Sequence, residues 1–249
     1  MLTLLGAIWG SFVAALCQRW PAGESIVTGR SRCDQCYLPL CAYELMPILS
    51  YVIQRGKCRR CNAAIGRDSL YTELFCASFG LLCATLFPLL SAVAVAVLGW
   101  VLLPLTILDW RHYWLPDNLV IAVAVTGLIG GGVLFGDPSL ADRAIGGVTG
   151  FAALQLLRVA YSRVRGVEVM GAGDPKLLGA IGLWVGWQSL PLILLLASTF
   201  GLAHFLTRFK DSHSLNQHLP LGSYFGAATI LLVCATAALD AIRLTALSG

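Results

Sequence analysis

Two acids stand where acids are costly. Asp174 follows Gly171-Ala172-Gly173 and precedes Pro175-Lys176, at the mouth of an apolar run that begins at Leu177. Asp109 closes a different apolar run, in Leu108-Asp109-Trp110. A carboxylate at the edge of hydrocarbon must be neutralised, hydrated or paired, so its presence there points to a use. Two carboxylates brought close together cannot both ionise; they share a proton and titrate as a pair. One member can then take a proton from water as it attacks a carbonyl, while the other donates to the carbonyl oxygen. Each acid also has a plain reading. Asp174 would sit at a helix N-cap with Pro175 at the first helical position, and Asp109 would pair with Arg111 in an interfacial loop rich in Trp and Tyr. Asp117 reads as a cap for the next helix or as an acid facing a basic substrate.

The second cluster that can do chemistry is made of thiols. Cys33-Asp34-Gln35-Cys36 and Cys58-Arg59-Arg60-Cys61 are two CxxC pairs separated by 21 residues. Each pair turns two thiolates toward one point, and two such turns close a tetrahedral zinc site. Four thiolates leave no open coordination position, so the metal is structural: it holds together a polar stretch whose own core is too small to fold well alone. Disulfides are the rival, disfavoured in a reducing compartment; a redox CxxC is weaker still. Of the nine cysteines, Cys41 is a spare. Cys17, Cys76, Cys83 and Cys234 lie in or beside apolar runs and pack as small hydrophobes.

The elements that must position these groups are membrane helices. The chain has 249 residues, 57% hydrophobic and only 12% charged, about half the charge of a soluble domain. Apolar runs cover 2–17, 74–90, 92–108, 119–135, 144–161, 177–187, 190–206 and 221–238. The fold class expected is all-α and polytopic, with about eight transmembrane helices and a small zinc-binding cytoplasmic domain between the first and second. The domain reading is a first helix at 1–18, a tetracysteine domain at 19–72 and a seven-helix membrane domain at 73–249. The first segment lacks a charged leader region and a small-residue cleavage site, so it reads as a retained helix. With eight spans, fifteen of the seventeen Lys and Arg fall on the side that holds the cysteines, leaving Arg143 and Arg243 opposite. That side is cytoplasmic by the positive-inside rule, and both acids lie on it. The net charge of +4 is explained by this interleaving, which argues against a nucleic-acid partner.

Taken together, these residues resemble the type IV prepilin peptidases, a family of membrane aspartyl proteases. The run Gly171 to Leu177 looks like their GxGDxKL motif. Gly10-Ser11-Phe12 with Arg19-Trp20-Pro21 is similar to their opening. Arg30-Ser31-Arg32-Cys33 through Cys36, Pro47, Ser50-Tyr51, Arg55-Gly56-Lys57-Cys58-Arg59 and Cys61 follow their zinc region. Leu108-Asp109 and Leu115-Pro116-Asp117 match their first acid segment. The resemblance implies an endopeptidase of the bacterial inner membrane that removes a short basic leader from prepilins or pseudopilins at the cytoplasmic face. It implies Asp109 and Asp174 as the catalytic pair, with Gly171, Gly173, Lys176 and Asp117 as supporting residues, and Cys33, Cys36, Cys58 and Cys61 on zinc. It also implies N-methylation of the new terminus with S-adenosylmethionine, for which Glu44, Lys57 and Glu73 are the site residues to examine. The chain departs from the family at Ala14, where Asn is usual, at Trp110-Arg111-His112, and at Leu219-Pro220-Leu221-Gly222, which lacks the second proline of the usual I-P-F-G-P-F.

Acids able to attract a basic leader are Glu24, Asp34, Glu44, Asp68 and Glu73. His112, His204, His213 and His218 have no metal-ligand spacing and read as interfacial or packing residues. A transporter with proton-relaying acids and a regulatory zinc domain is the alternative from another class. No internal repeat supports it, and its acids would lie near mid-membrane. A scaffold that docks a cytoplasmic partner is the third reading.

Overall fold

Hydropathy alone dictates most of the architecture, because backbone groups in hydrocarbon must be satisfied within the segment and a helix achieves this. The computed structural model describes residues 1–25, 31–33, 35–133, 138–166, 170–209 and 219–247, and among these it is helical apart from turns and two isolated bridges. It divides into two compact units, Met1–Thr85 and Leu86–Gly249. Arg30, Asp34, His213 and His218 lie outside the described residues.

The first unit is built on α1 (Leu2–Arg19) and α3 (Arg67–Leu86), with a short α2 (Leu49–Ile53) between them. Gly10 is where α1 meets α3: a Cβ there would lie 2.5 Å from the Thr72 carbonyl oxygen and 2.6 Å from Glu73 Cα. Only a residue without a side chain permits that approach. Glu73, buried on α3, accepts bonds from the Ile48 amide (2.7 Å) and the Ser69 hydroxyl (3.2 Å). It thereby pins the segment before α2, where Ile48 holds a φ of +62°, an unfavourable value for a β-branched residue.

The second unit holds α4 (Leu89–His112), α5 (Asp117–Gly130), α6 (Leu140–Arg165), α7 (Gly173–Val185), α8 (Leu190–Phe209) and α9 (Leu221–Leu247). Every apolar run of the sequence is thus a helix, with ends displaced by a few residues. Five helices are long and apolar enough to cross a membrane: α1, α3, α4, α6 and α8. The apolar parts of α5 and α9 are shorter, and α7 has 13 residues, about 20 Å of helix against the roughly 30 Å of a hydrocarbon core.

α7 survives as a short helix because protein surrounds it. Leu177, Leu178, Ile181 and Trp184 are fully buried. Glycines on α6 and α7 let the two backbones touch: a Cβ on Gly146 would lie 2.7 Å from the Gly182 carbonyl oxygen, and one on Gly150 2.9 Å from that of Leu178. This small-residue seam is how helices associate where apolar burial offers no advantage over lipid. On the α5 side the Trp184 ring occupies the space left by Gly127 and Gly130, and its Nε1 donates to the Val123 carbonyl at 2.8 Å. At the C-terminal end of α7, Asp142 accepts from Trp187 Nε1 (2.9 Å) and Gln188 Nε2 (3.1 Å), while buried Arg143 donates to the Gly127 and Leu128 carbonyls that close α5.

Candidate active site and metal centre

The cavity of interest in the second unit has a volume of about 520 Å³ and is lined by Asp109, Tyr113 to Leu115, Asp117, Met170 to Asp174, Lys176, Leu219 and Leu221. Those residues come from the α4–α5, α6–α7 and α8–α9 junctions, the same connections that the count of Lys and Arg assigns to one side. Asp109 and Asp174 both line it, each only 5% exposed, and the charge of one acts on the other. Burial of two such acids in one cavity has a substantial desolvation cost, and a shared proton removes most of it.

Each acid is held by its own helix junction. Asp109 lies in the last turn of α4, which ends in a left-handed residue, Tyr113, at φ 51°. Its Oδ2 accepts from the Ser223 amide at 2.7 Å and the Ser223 hydroxyl at 3.1 Å, both from the first turn of α9. Asp174 belongs to the first turn of α7, whose N-cap is Ala172 and carries no side-chain cap bond. The N-cap expected of Asp174 is therefore not formed. The helix starts at Gly173, two residues before the expected first position at Pro175, and the Gly171 amide is directed at the carboxylate. Pro175 is tolerated there because first-turn amides have no intrahelical acceptor. Arg158 on α6 supports the loop by donating Nε to the Met170 carbonyl at 3.2 Å, and its charge bears on Asp174.

The supporting residues divide by task. A Cβ on Gly173 would sit 2.7 Å from Leu115 Cβ, so close approach requires a glycine there, whereas one on Gly171 would lie 3.3 Å from Asp174 Oδ2, a tight contact that the carboxylate would have to yield to. Lys176 and Asp117 pair across the cavity rim at 2.7 Å, both side chains well exposed. Asp117 occupies the first turn of α5 without forming the side-chain cap expected of it; there it still complements the helix dipole. His204 is a packing residue as expected: its Nδ1 bonds the Tyr224 hydroxyl and its ring stacks on Trp110 at 4.9 Å.

In the first unit the two CxxC segments adopt one conformation twice. The Cys33 amide donates to the Leu38 carbonyl and the Tyr37 amide to that of Cys33; the Cys58 amide donates to Ala63 and the Asn62 amide to Cys58. Tyr37 and Asn62, at equivalent places, take φ of 56° and 57°. All four Sγ atoms of Cys33, Cys36, Cys58 and Cys61 lie within 4.8 Å of one another, and Cys33 and Cys61 are 3.8 Å apart. A tetrahedron with metal–sulfur bonds of about 2.3 Å has edges of about 3.8 Å, so the donor set fits zinc in size and chemistry. Amide groups of Cys61 and Arg60 aimed at Cys58 pull its thiol down to about 7. The Ala63 amide also favours the Cys61 thiolate, but burial and the three neighbouring thiols outweigh it and push Cys61 up to about 11. A cation is what allows all four to be thiolates together. Cys41 stands apart, near the Arg60 guanidinium.

A second cavity, about 400 Å³, lies within this unit between α1, α3 and the thiol loops. Glu44 and Glu73 line it, both buried, whereas Lys57 does not. Glu44 Oε2 accepts from the Cys41 amide at 2.7 Å. Neither acid is a surface charge for a basic leader, and Glu24 is engaged by Arg32 at 2.8 Å.

Sequence reasoning missed Ser223, which lies 114 residues from the acid it holds. The one available signal was a hydroxyl in the first turn of the last apolar run, just after a glycine.

Comparison with known proteins converges on the same reading. Residues 4–87 match the model of the Bacterial Peptidase A24 N-terminal domain, and residues 96–206 match that of the Type IV leader peptidase family. The chain is 38% identical over 213 residues to the prepilin leader peptidase/N-methyltransferase of Aeromonas salmonicida strain A449, covering 82% of this chain and 70% of the relative. It is 33% identical to the protein of that name from Burkholderia pseudomallei strain 1026b, covering 84% and 69%. Against the one from Pseudomonas aeruginosa it is 33% identical over 252 residues, covering 90% and 86%. No solved structure matches. The two domain matches, split between the thiol unit and the unit of the paired acids, and the relatives that span both, place the chain in the type IV leader peptidase family.

Proposed function

We propose that Asp109 and Asp174 are the catalytic pair with which this chain, a prepilin leader peptidase and N-methyltransferase by family, cuts a prepilin or pseudopilin. The observation that carries the proposal is the meeting of two buried acids from separate helices in one cavity. The carboxylates hold one proton between them. The ionised member removes a proton from water as the water oxygen bonds to the scissile carbonyl carbon, and the other protonates the carbonyl oxygen. Collapse of the resulting diol breaks the C–N bond, passes a proton to the leaving nitrogen and restores the pair. The arrangement gives the transporter alternative nothing to work with, since the acids sit at helix ends rather than mid-membrane.

In this reading the eight apolar helices α1 and α3 to α9 lie in the bacterial inner membrane, the shorter ones lined by protein or thinned bilayer. Residues 1–18 form the first helix, 19–72 a cytoplasmic zinc domain and 73–249 the protease domain. Zinc on Cys33, Cys36, Cys58 and Cys61 is structural. A short basic leader followed by an apolar helix would present its scissile bond at the cytoplasmic interface, where the Lys- and Arg-rich connections lie.

S-adenosylmethionine supplies an electrophilic methyl group on a cationic sulfonium. The cavity of the first unit suits it, because 400 Å³ is within the usual range for small ligands and the buried carboxylates of Glu44 and Glu73 keep accepting capacity beyond their protein bonds. Lys57 has no place in that site. The test is to coexpress the chain with a prepilin-type substrate. Wild type is expected to remove the leader and leave an N-methylated terminus by mass spectrometry. Asp109→Asn and Asp174→Asn are each expected to insert normally and leave the leader intact, while Glu44→Gln and Glu73→Gln cleave without methylating. Normal processing by either Asn variant would overturn the pair.

A further inference from the structure

The two acids of the cavity are not held alike. Toward Asp174 the Gly171 amide is directed. Asp109 receives the amide of Ser223 at 2.7 Å and its hydroxyl at 3.1 Å, both on Oδ2, with the Gly222 amide also directed at the carboxylate. Ser223 is 7% exposed, and its amide is free to bond outward because it is the third residue of α9 (Leu221–Leu247). Gly222 packs tightly against the same carboxylate: a Cβ there would lie 3.1 Å from Asp109 Oδ2 and 3.0 Å from Leu115 Cδ1, so a side chain would push on Asp109. The next residue, Tyr224, is fixed through its hydroxyl to His204 of α8, whose ring stacks on Trp110, the neighbour of Asp109. The first turn of α9 is therefore anchored on both sides of Ser223.

We infer that Ser223 is a positioning residue that clamps Oδ2 of Asp109, making Asp109 the water-activating carboxylate and Oδ1 the oxygen that carries the transferred proton. Amide donors on a carboxylate oxygen favour its ionised form and lower the basicity of that oxygen. The proton taken from water then goes to Oδ1, and Oδ2 keeps its amide bond in both states. The serine hydroxyl has a single proton and two acceptors in reach, Asp109 Oδ2 and the Thr106 carbonyl at 2.9 Å. It can donate to the carboxylate when Asp109 is charged and to Thr106 when Asp109 is neutral. No buried donor or acceptor is orphaned at either stage. Asp174 correspondingly holds the shared proton at the start of the cycle and gives it to the carbonyl oxygen.

The inference rests on the catalytic reading above, and one experiment separates their failures. Full-length protein in nanodiscs is given a prepilin-type substrate, and kcat and KM for leader removal are measured for wild type and three variants. Ser223→Ala, which keeps the amide, is expected to lower kcat about tenfold, and Ser223→Pro, which removes both donors, about a hundredfold, the range for charge-assisted bonds. KM is expected to stay within about twofold because the clamp does not touch substrate. Ser223→Thr, which retains both donors, restores kcat to within about threefold of wild type. Should the proline variant fail to fold, the Ala and Thr pair decides. Unchanged kcat in Ser223→Ala and Ser223→Pro, or a fall that follows the loss of melting temperature and is not rescued by Thr, overturns the clamp. Absence of cleavage by wild type overturns the catalytic reading itself.

Discussion

The thiol unit and the acid unit solve the same problem, bringing charged groups together, by opposite means. In the first, each ligand pair is made by a short loop. Cys33 and Cys58 each start a turn closed by a bond back to their own carbonyl, and the two turns need only face each other. In the second, Asp109 and Asp174 come from different helices and owe their meeting to a buried helix, α7, seated against glycines of α5 and α6. A site made of local turns tolerates a small core because the metal supplies the missing stability. A site made across helices needs no metal, and it depends on backbone contacts far from the chemistry.

That contrast can be broken at several points. The largest effect is expected from the thiols: Ser in place of any one of Cys33, Cys36, Cys58 or Cys61 should abolish retention of zinc through purification, read by elemental analysis, and render the region between α1 and α3 protease-sensitive. Cys41→Ser should retain the metal. Next comes the helix seam. Gly182→Val forces side-chain atoms into the Gly146 backbone and should cost about 3 kcal/mol, seen as a lowered melting temperature with leader cleavage lost and zinc content unchanged. Loss of zinc along with cleavage would show that the damage is not confined to the α6–α7 seam. A smaller effect is expected from pH. Protons compete for thiolates, so zinc should be held less tightly as pH falls, with Cys61, whose thiol is pushed up to about 11, the ligand that needs the metal most. Retention that is flat from neutral to acid pH would argue against a thiolate cage. The smallest effect is at the cavity rim. Lys176→Met or Asp117→Asn removes an exposed pair worth about 1 kcal/mol or less, and cleavage should change by no more than about fivefold.

What could be read from the residues follows the same division. The CxxC spacing fixes thiol geometry within a few residues, so the meeting of Cys33, Cys36, Cys58 and Cys61 was legible, with Cys41 outside the cluster. The eight helical runs were legible because hydropathy is a property of the segment itself. Helix ends were not. α3 begins seven residues before its apolar run, at Arg67 rather than Leu74; in that polar stretch Glu73 is buried and is taken up by the Ile48 amide and the Ser69 hydroxyl. Asp174 entered the first turn of α7 rather than capping it, and Asp117 was claimed by Lys176, 59 residues away; the second outcome depends on a neighbour distant in the chain. Ser223 was invisible for the same reason. A polar residue in a first helical turn is ordinary until the acid it faces is known.

The central claim is that the two acids act as one unit. Its most direct test is the second-order rate of leader removal, kcat/KM, for Asp109→Asn, Asp174→Asn and the double variant, each confirmed to be folded and to hold zinc. Residues that share one proton lose function together, so each single variant should fall to a common floor and the double should fall no further. Losses that multiply in the double variant, or a single variant that retains wild-type kcat/KM, would contradict the account.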